Sequence, residues 1–166
     1  DIWRPKWQPN IERILTKWLT RNIVDAMADI MLDMQMLEDT RNLMCGKFNM
    51  FVRMFLEDAH FHIQELKRVV ELARPAEDVI LPAHSLKSTS KQVGAFQMSS
   101  VAERLETRAA QMVKAESNAT ALMSLVIHLE RIYAEVRVLL LNEIGEAVDE
   151  ALPQDILTPQ AQAKAS

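Results

Sequence analysis

His84 opens the run HSLKSTSKQVG, residues 84 to 94, with Lys87, Ser88 and Lys91 three, four and seven positions further on. On a helix those intervals gather the four side chains onto one face. A neutral imidazole is a usable nucleophile near physiological pH, and ammonium groups one and two turns away offset the charge of an anionic adduct. A small side chain at Ser88 leaves room for a partner to approach the ring. The pattern therefore suits acceptance of a phosphoryl group. Metal binding suits it less, because the neighbours on that face are lysines, which repel cations. Hydrolase chemistry needs a nucleophile, a base, an orienting acid and an enclosure, which a convex helix face does not offer. On these residues alone, an ordinary solvated histidine remains an equal alternative.

The surrounding pattern predicts a helix from about Ala76 to Val93. At about 100° per residue, Val79, Leu86, Ser90 and Val93 fall on one side, and His84, Lys87, Ser88 and Lys91 on the other. Pro82 lies two residues before the histidine; it lacks a backbone donor, so it either kinks the helix or marks its first turn. Gly94 closes the helix with a left-handed cap after Lys91, making Gly94 and Ala95 the turn of a helical hairpin. Ser100 with Glu103 matches a reciprocal capping pair, predicting that the next helix opens at Ser100 and buries Val101, Leu105, Ala109 and Met112.

Two longer helices frame this pair. From Gly46 to Leu72, an apolar residue recurs every three or four positions: Phe48, Val52, Phe55, Ala59, Ile63, Leu66 and Val70. Leu122, Leu125, Leu129, Ile132, Val136 and Leu139 repeat the pattern downstream, with Asn118 as the predicted cap. Upstream, Ile23 to Met44 reads as one methionine-rich helical segment whose side chains fill core space. The expected architecture is all-α, an up-and-down four-helix bundle over residues 23–148. Residues 1–22 form an N-terminal helical extension or linker, and 149–166 a flexible, proline-punctuated tail.

Composition agrees. Of the 166 residues 49% are apolar and 25% charged, with three glycines and six prolines, which suits a helical globular domain rather than a disordered chain. A net charge of −4 gives no basic stripe for nucleic acid. The single cysteine, Cys45, cannot form an internal disulfide and is expected to be a buried thiol, as fits a reducing cytoplasm. No apolar run reaches the length of a membrane span.

Other residues with reactive groups read as structural. Asp29 and Asp33 superficially suggest a phosphorylated aspartate strand, but the following proline and Asp-Gly pair are missing, so helix is expected there. His60 and His62 are two apart and face different ways; they are expected to be solvated or partly packed, and His128 structural. The acceptor pattern at Asn118 matters only in a secreted chain.

The stretch AHSLKSTSKQVGAFQMSSVAERLE, residues 83 to 106, resembles the signature of histidine-containing phosphotransfer (HPt) domains, carried here by His84, Lys87, Ser88, Gly94, Ala95, Leu105 and Glu106. Residues 31 to 59 resemble the first two bundle helices of that family, so the likeness spans roughly residues 28 to 142. Ser88 departs from the glycine most common in the family. Residues 5 to 19 resemble the last strand-to-helix turn and final helix of a receiver domain, which would make the chain the C-terminal part of a hybrid sensor histidine kinase.

The resemblance implies a relay module of a bacterial two-component phosphorelay, not an enzyme with kinase or phosphatase machinery. His84 would take a phosphoryl group from the aspartate of a response-regulator receiver domain and pass it to another. Lys87 would neutralise phosphate charge, and Ser88 and Lys91 would contribute to docking. No cofactor or bound metal is expected, magnesium belonging to the partner receiver. The chain would be a cytoplasmic monomer or the cytoplasmic part of a membrane-bound kinase, with no nucleic acid partner and no membrane insertion of its own. One rival is a non-catalytic helical interaction module, in which His84 would be buried or locked by hydrogen bonds. Another is a histidine-kinase dimerisation and phosphoacceptor domain; that would place an acidic residue directly after the histidine, where this chain has Ser85.

Overall fold

The computed structural model describes residues 31–146 together with 16 and 17. The expectations for residues 1–22 and for the tail fall almost wholly outside these, as does the part of the Ile23 to Met44 segment before Met31. The described chain forms α1 (Met34–Leu43), α2 (Phe48–Glu71), α3 (Glu77–Gln92), α4 (Phe96–Lys114), a short 3-10 turn (Ala119–Leu122) and α5 (Met123–Glu143). The fold is all-α. Helices α2 to α5 make an up-and-down bundle in which each packs on its sequence neighbours and α5 closes back on α2.

The stripe that predicts α2 is the one it buries: Phe48, Val52, Phe55, Ala59, Ile63, Leu66 and Val70 all face the core. Leu125, Leu129, Ile132 and Val136 do the same from α5. Across that interface the Tyr133 hydroxyl donates to the Leu56 carbonyl at 2.9 Å, and burial pushes the phenol's pKa up to about 12. Lys67 and Glu130 pair at 2.8 Å on the rim of the same interface.

Several local expectations change. The Ile23 to Met44 segment is not one helix, because the chain breaks at Leu32 and Asp33. The Asp33 carboxylate accepts from the Met36 amide at 2.9 Å and restarts the helix at Met34. Its methionines do pack on the core, with Met31, Met34 and Met44 partly buried. Cys45 is exposed, not buried: Cys45 and Gly46 are both left-handed, at φ 45° and 86°, and this turn between α1 and α2 swings the thiol outward. Asn118 does cap, accepting from the Thr120 amide at 3.1 Å, but through the 3-10 turn that precedes α5. His128, expected to be structural, faces water, whereas His60 is exposed and His62 half-buried, as expected. Among the described residues no helix is long and apolar enough to cross a membrane.

The hairpin of α3 and α4 differs most. Helix α4 opens at Phe96, four residues before the predicted start, because the turn at Gly94 and Ala95 is tight: the Ser99 amide already donates to the Ala95 carbonyl at 3.0 Å. Ser100 is thus an exposed interior position. Ser99 instead donates its hydroxyl to the Lys87 carbonyl at 2.8 Å, tying the first turn of α4 to α3.

Gly94 is required on two counts. Its φ is +76°, and a Cβ there would lie 3.1 Å from the Asp33 carbonyl oxygen and 3.2 Å from the Asp33 nitrogen. The same seam is closed by a hydrogen bond from the Asp33 amide to the Gly94 carbonyl at 3.0 Å. Helix α1 therefore starts against the hairpin turn. It ends against α5, where Arg41 pairs with Glu143 at 2.7 Å and stacks over the Phe48 ring.

Candidate functional site

Helix α3 runs unbroken from Glu77 to Gln92, with Pro82 buried in its second turn rather than its first. The proline deprives the Asp78 carbonyl of its usual helical donor. Acidic Glu77 and Asp78 in the first turn and Lys91 in the last complement the helix dipole. Val79, Ala83, Leu86 and Ser90 are buried, fixing the rotation of the helix and turning His84 outward.

The His84 side chain is 55% exposed, so the ring is open to a partner. It is held at one point: Nδ1 lies 2.8 Å from Oε1 of Glu106 on α4. The other carboxylate oxygen, Oε2, accepts from Lys87 Nζ at 2.6 Å. Glu106 thus bridges the histidine and the lysine from the neighbouring helix.

The lysine keeps the bridging carboxylate charged. The hydrogen bond from Lys87 is the main influence holding the Glu106 carboxyl below its ordinary pKa; desolvation opposes it, and the bond from His84 adds to it. Reciprocally, the Glu106 bond holds the Lys87 ammonium above its ordinary value, with desolvation opposing. At neutral pH Glu106 is ionised and can only accept, so Nδ1 must carry the proton. In the neutral imidazole Nε2 then bears the lone pair, and it has no partner among the described residues. The arrangement can therefore present an unprotonated, outward nitrogen of fixed orientation to an electrophile.

The sequence-predicted residues separate into two groups. Ser88 and Lys91 are exposed on the same face as His84, and the Lys91 ammonium makes no hydrogen bond or ion pair among the described residues. Lys87 is partly buried and engaged with Glu106. Gly94 is structural, as expected, with the added contact to Asp33. Glu106 carried no role in the sequence reading beyond its place in the motif. Its register could have revealed one: in a hairpin turning at Gly94 and Ala95, His84 and Glu106 stand nearly equidistant from the turn. Among the described residues no cluster of three or more His, Cys, Asp or Glu side chains is placed to hold a metal.

Comparison with known proteins agrees with this fold. The family model of the Hpt domain matches residues 50–150, more than half of the chain, and the protein belongs to that family. Its role is accordingly phosphotransfer within a phosphorelay. The fold matches the crystal structure of histidine-containing phosphotransfer protein B from Pseudomonas aeruginosa PAO1 with a TM-score of 0.61 and 23% identity. That match covers 68% of this chain and 93% of the other. No curated protein sequence matches the chain. The family match begins inside α2, so α1 and the Asp33 side of the seam lie before the matched residues, while Gly94 lies within them.

Proposed function

We propose that His84 is the phosphoryl carrier, taking the group from the aspartyl phosphate of a response-regulator receiver domain and yielding it to another receiver. The observation that carries this reading is the pairing of an exposed ring with a proton-bearing Nδ1 held by Glu106. In the forward step the Nε2 lone pair attacks phosphorus, the bond from phosphorus to the aspartyl oxygen breaks, and the aspartate leaves as a carboxylate. The ring gains positive charge while keeping its Nδ1 proton, and the Glu106 carboxylate stabilises that charge as it develops. The reverse step follows the same path.

Glu106 acts as a positioning residue and Lys87 anchors it. Lys91, unpaired on the same face, offsets the charge of the phosphoryl oxygens, and Ser88 keeps the approach open. The chain supplies no catalytic metal in this reading; magnesium belongs to the receiver. The inert-module rival expects a histidine buried or locked by hydrogen bonds; the ring does carry one bond, to Glu106, but its exposure and the unpartnered Nε2 argue against that rival.

Incubation with phosphorylated receivers and magnesium, followed by mass spectrometry under conditions that preserve acid-labile phosphoryl groups, tests the proposal. Label on His84, absent in His84→Gln, is the expected result. Label elsewhere, or no transfer across a broad receiver panel with the fold intact, would overturn it.

A further inference from the structure

Around α3 the surface changes character on either side of His84. Toward α4 lie Lys87 and Glu106, already paired. In the opposite sense the order around the helix is Ser88, Leu81, Ser85 and Thr89, and Thr89 borders a groove of about 450 Å³ between α2 and α3. Its apolar lining comes from Phe51, Met54, the buried Phe55 and Phe61 on α2, with Met54 and Phe61 each 60% exposed. Leu81, one turn before His84, is 73% exposed. Phe51 packs partly on the core, but Met54 and Phe61 lie off the stripe that α2 buries, so core packing does not account for those two.

Glu57 and Asp58 form one wall of the groove. Both are exposed, and neither has an ion-pair or hydrogen-bond partner among the described residues. An apolar floor beside two uncompensated carboxylates complements an apolar element carrying a cation. A second copy of this groove would bring acid against acid, which disfavours self-association through it. The occupant must also reach Nε2, because Nδ1 is taken from the α4 side.

We infer that Glu57 and Asp58 select among receivers, favouring those that lay an apolar element flanked by a basic side chain into the groove between α2 and α3. This rests on the reading of His84 as the acceptor and names the chemistry of the partner that reading requires. Lysine substitutions at two exposed helix positions leave the buried stripe untouched.

The test compares the 166-residue chain with Glu57→Lys/Asp58→Lys and, separately, with Phe61→Ala. Two donors are used: phosphorylated receivers, and phosphoramidate, which is too small to need the groove. The expected result is a fall of tenfold or more in kcat/KM from receivers that serve the wild type, with labelling by phosphoramidate unchanged. An acidic substitution at the receiver's basic contact should restore transfer to the double variant. Unchanged receiver transfer in both variants would overturn the inference. So would a rise in transfer, which would mean that a basic segment of this chain occupies the groove, or a changed oligomeric state, which would mean a second copy does. If the wild type takes phosphoryl from neither donor, it is the acceptor reading that fails.

Discussion

The two flanks of helix α3 are built from different materials. On the flank toward α4, His84, Lys87 and Glu106 satisfy one another at 2.6 to 2.8 Å, and Ser99 adds a hydrogen bond to the α3 backbone. On the flank toward α2, Met54 and Phe61 are largely exposed and the Glu57 and Asp58 carboxylates have no hydrogen-bond or ion-pair partner within the described chain. A saturated flank can orient a ring but has nothing left to offer a second protein. An unsaturated flank can recognise but cannot orient. The contrast separates reactivity from selectivity across a single helix.

Variants can break that contrast. The largest effect is expected from His84→Gln: complete loss of phosphoryl acceptance from every donor, with stability in urea changed by less than about 0.5 kcal/mol because the site is exposed. Persistent labelling would mean that the orienting flank serves another residue. Next, Gly94→Ala should cost about 2–3 kcal/mol, since a left-handed alanine alone costs roughly 1–2 kcal/mol and its Cβ would press on Asp33. Chemical denaturation measures it; a cost under about 0.5 kcal/mol would show that the seam yields.

Glu106→Ala should slow labelling about tenfold, near the ~1.5 kcal/mol of a charge-assisted hydrogen bond. The decisive feature is that receivers and phosphoramidate should suffer alike, whereas groove variants affect receivers only. A loss confined to receivers would move Glu106 to the recognising side of the comparison.

The smallest effect is on pH dependence. Because the folded state holds the Glu106 carboxyl below its ordinary pKa, its contribution to stability is complete above the unfolded value of about 4.3 and is lost as pH falls through the lowered one. The stability difference between wild type and Glu106→Gln should therefore shrink by less than about 1 kcal/mol between neutral pH and about pH 3. A difference that grew on acidification would contradict the ionised bridge.

Much of this was legible in the sequence for a physical reason: burial imposes a period. The stripe from Phe48 to Val70 predicted both the extent and the inward face of α2, and Val79, Leu86 and Ser90 correctly turned His84 outward. What the period does not encode was missed. Asp33, Cys45 and Ala95 owe their conformations to tight turns, where one residue's φ decides a helix boundary. Glu106 acts across a hairpin, so its role depends on the register of the turn more than on its own neighbours. Met54 and Phe61 fall off the buried stripe, and a pattern that finds cores passes over them.

The seam between Asp33 and Gly94 also sets a leash. Ten residues of chain separate Gly94 from His84, about 15 Å at the helical rise. Whatever sequence leads into Leu32 therefore starts its path from a fixed anchorage less than about three helical turns from the reactive ring, on the hairpin that carries it. A domain joined ahead of this point would have its local concentration at His84 governed by the length of the intervening linker.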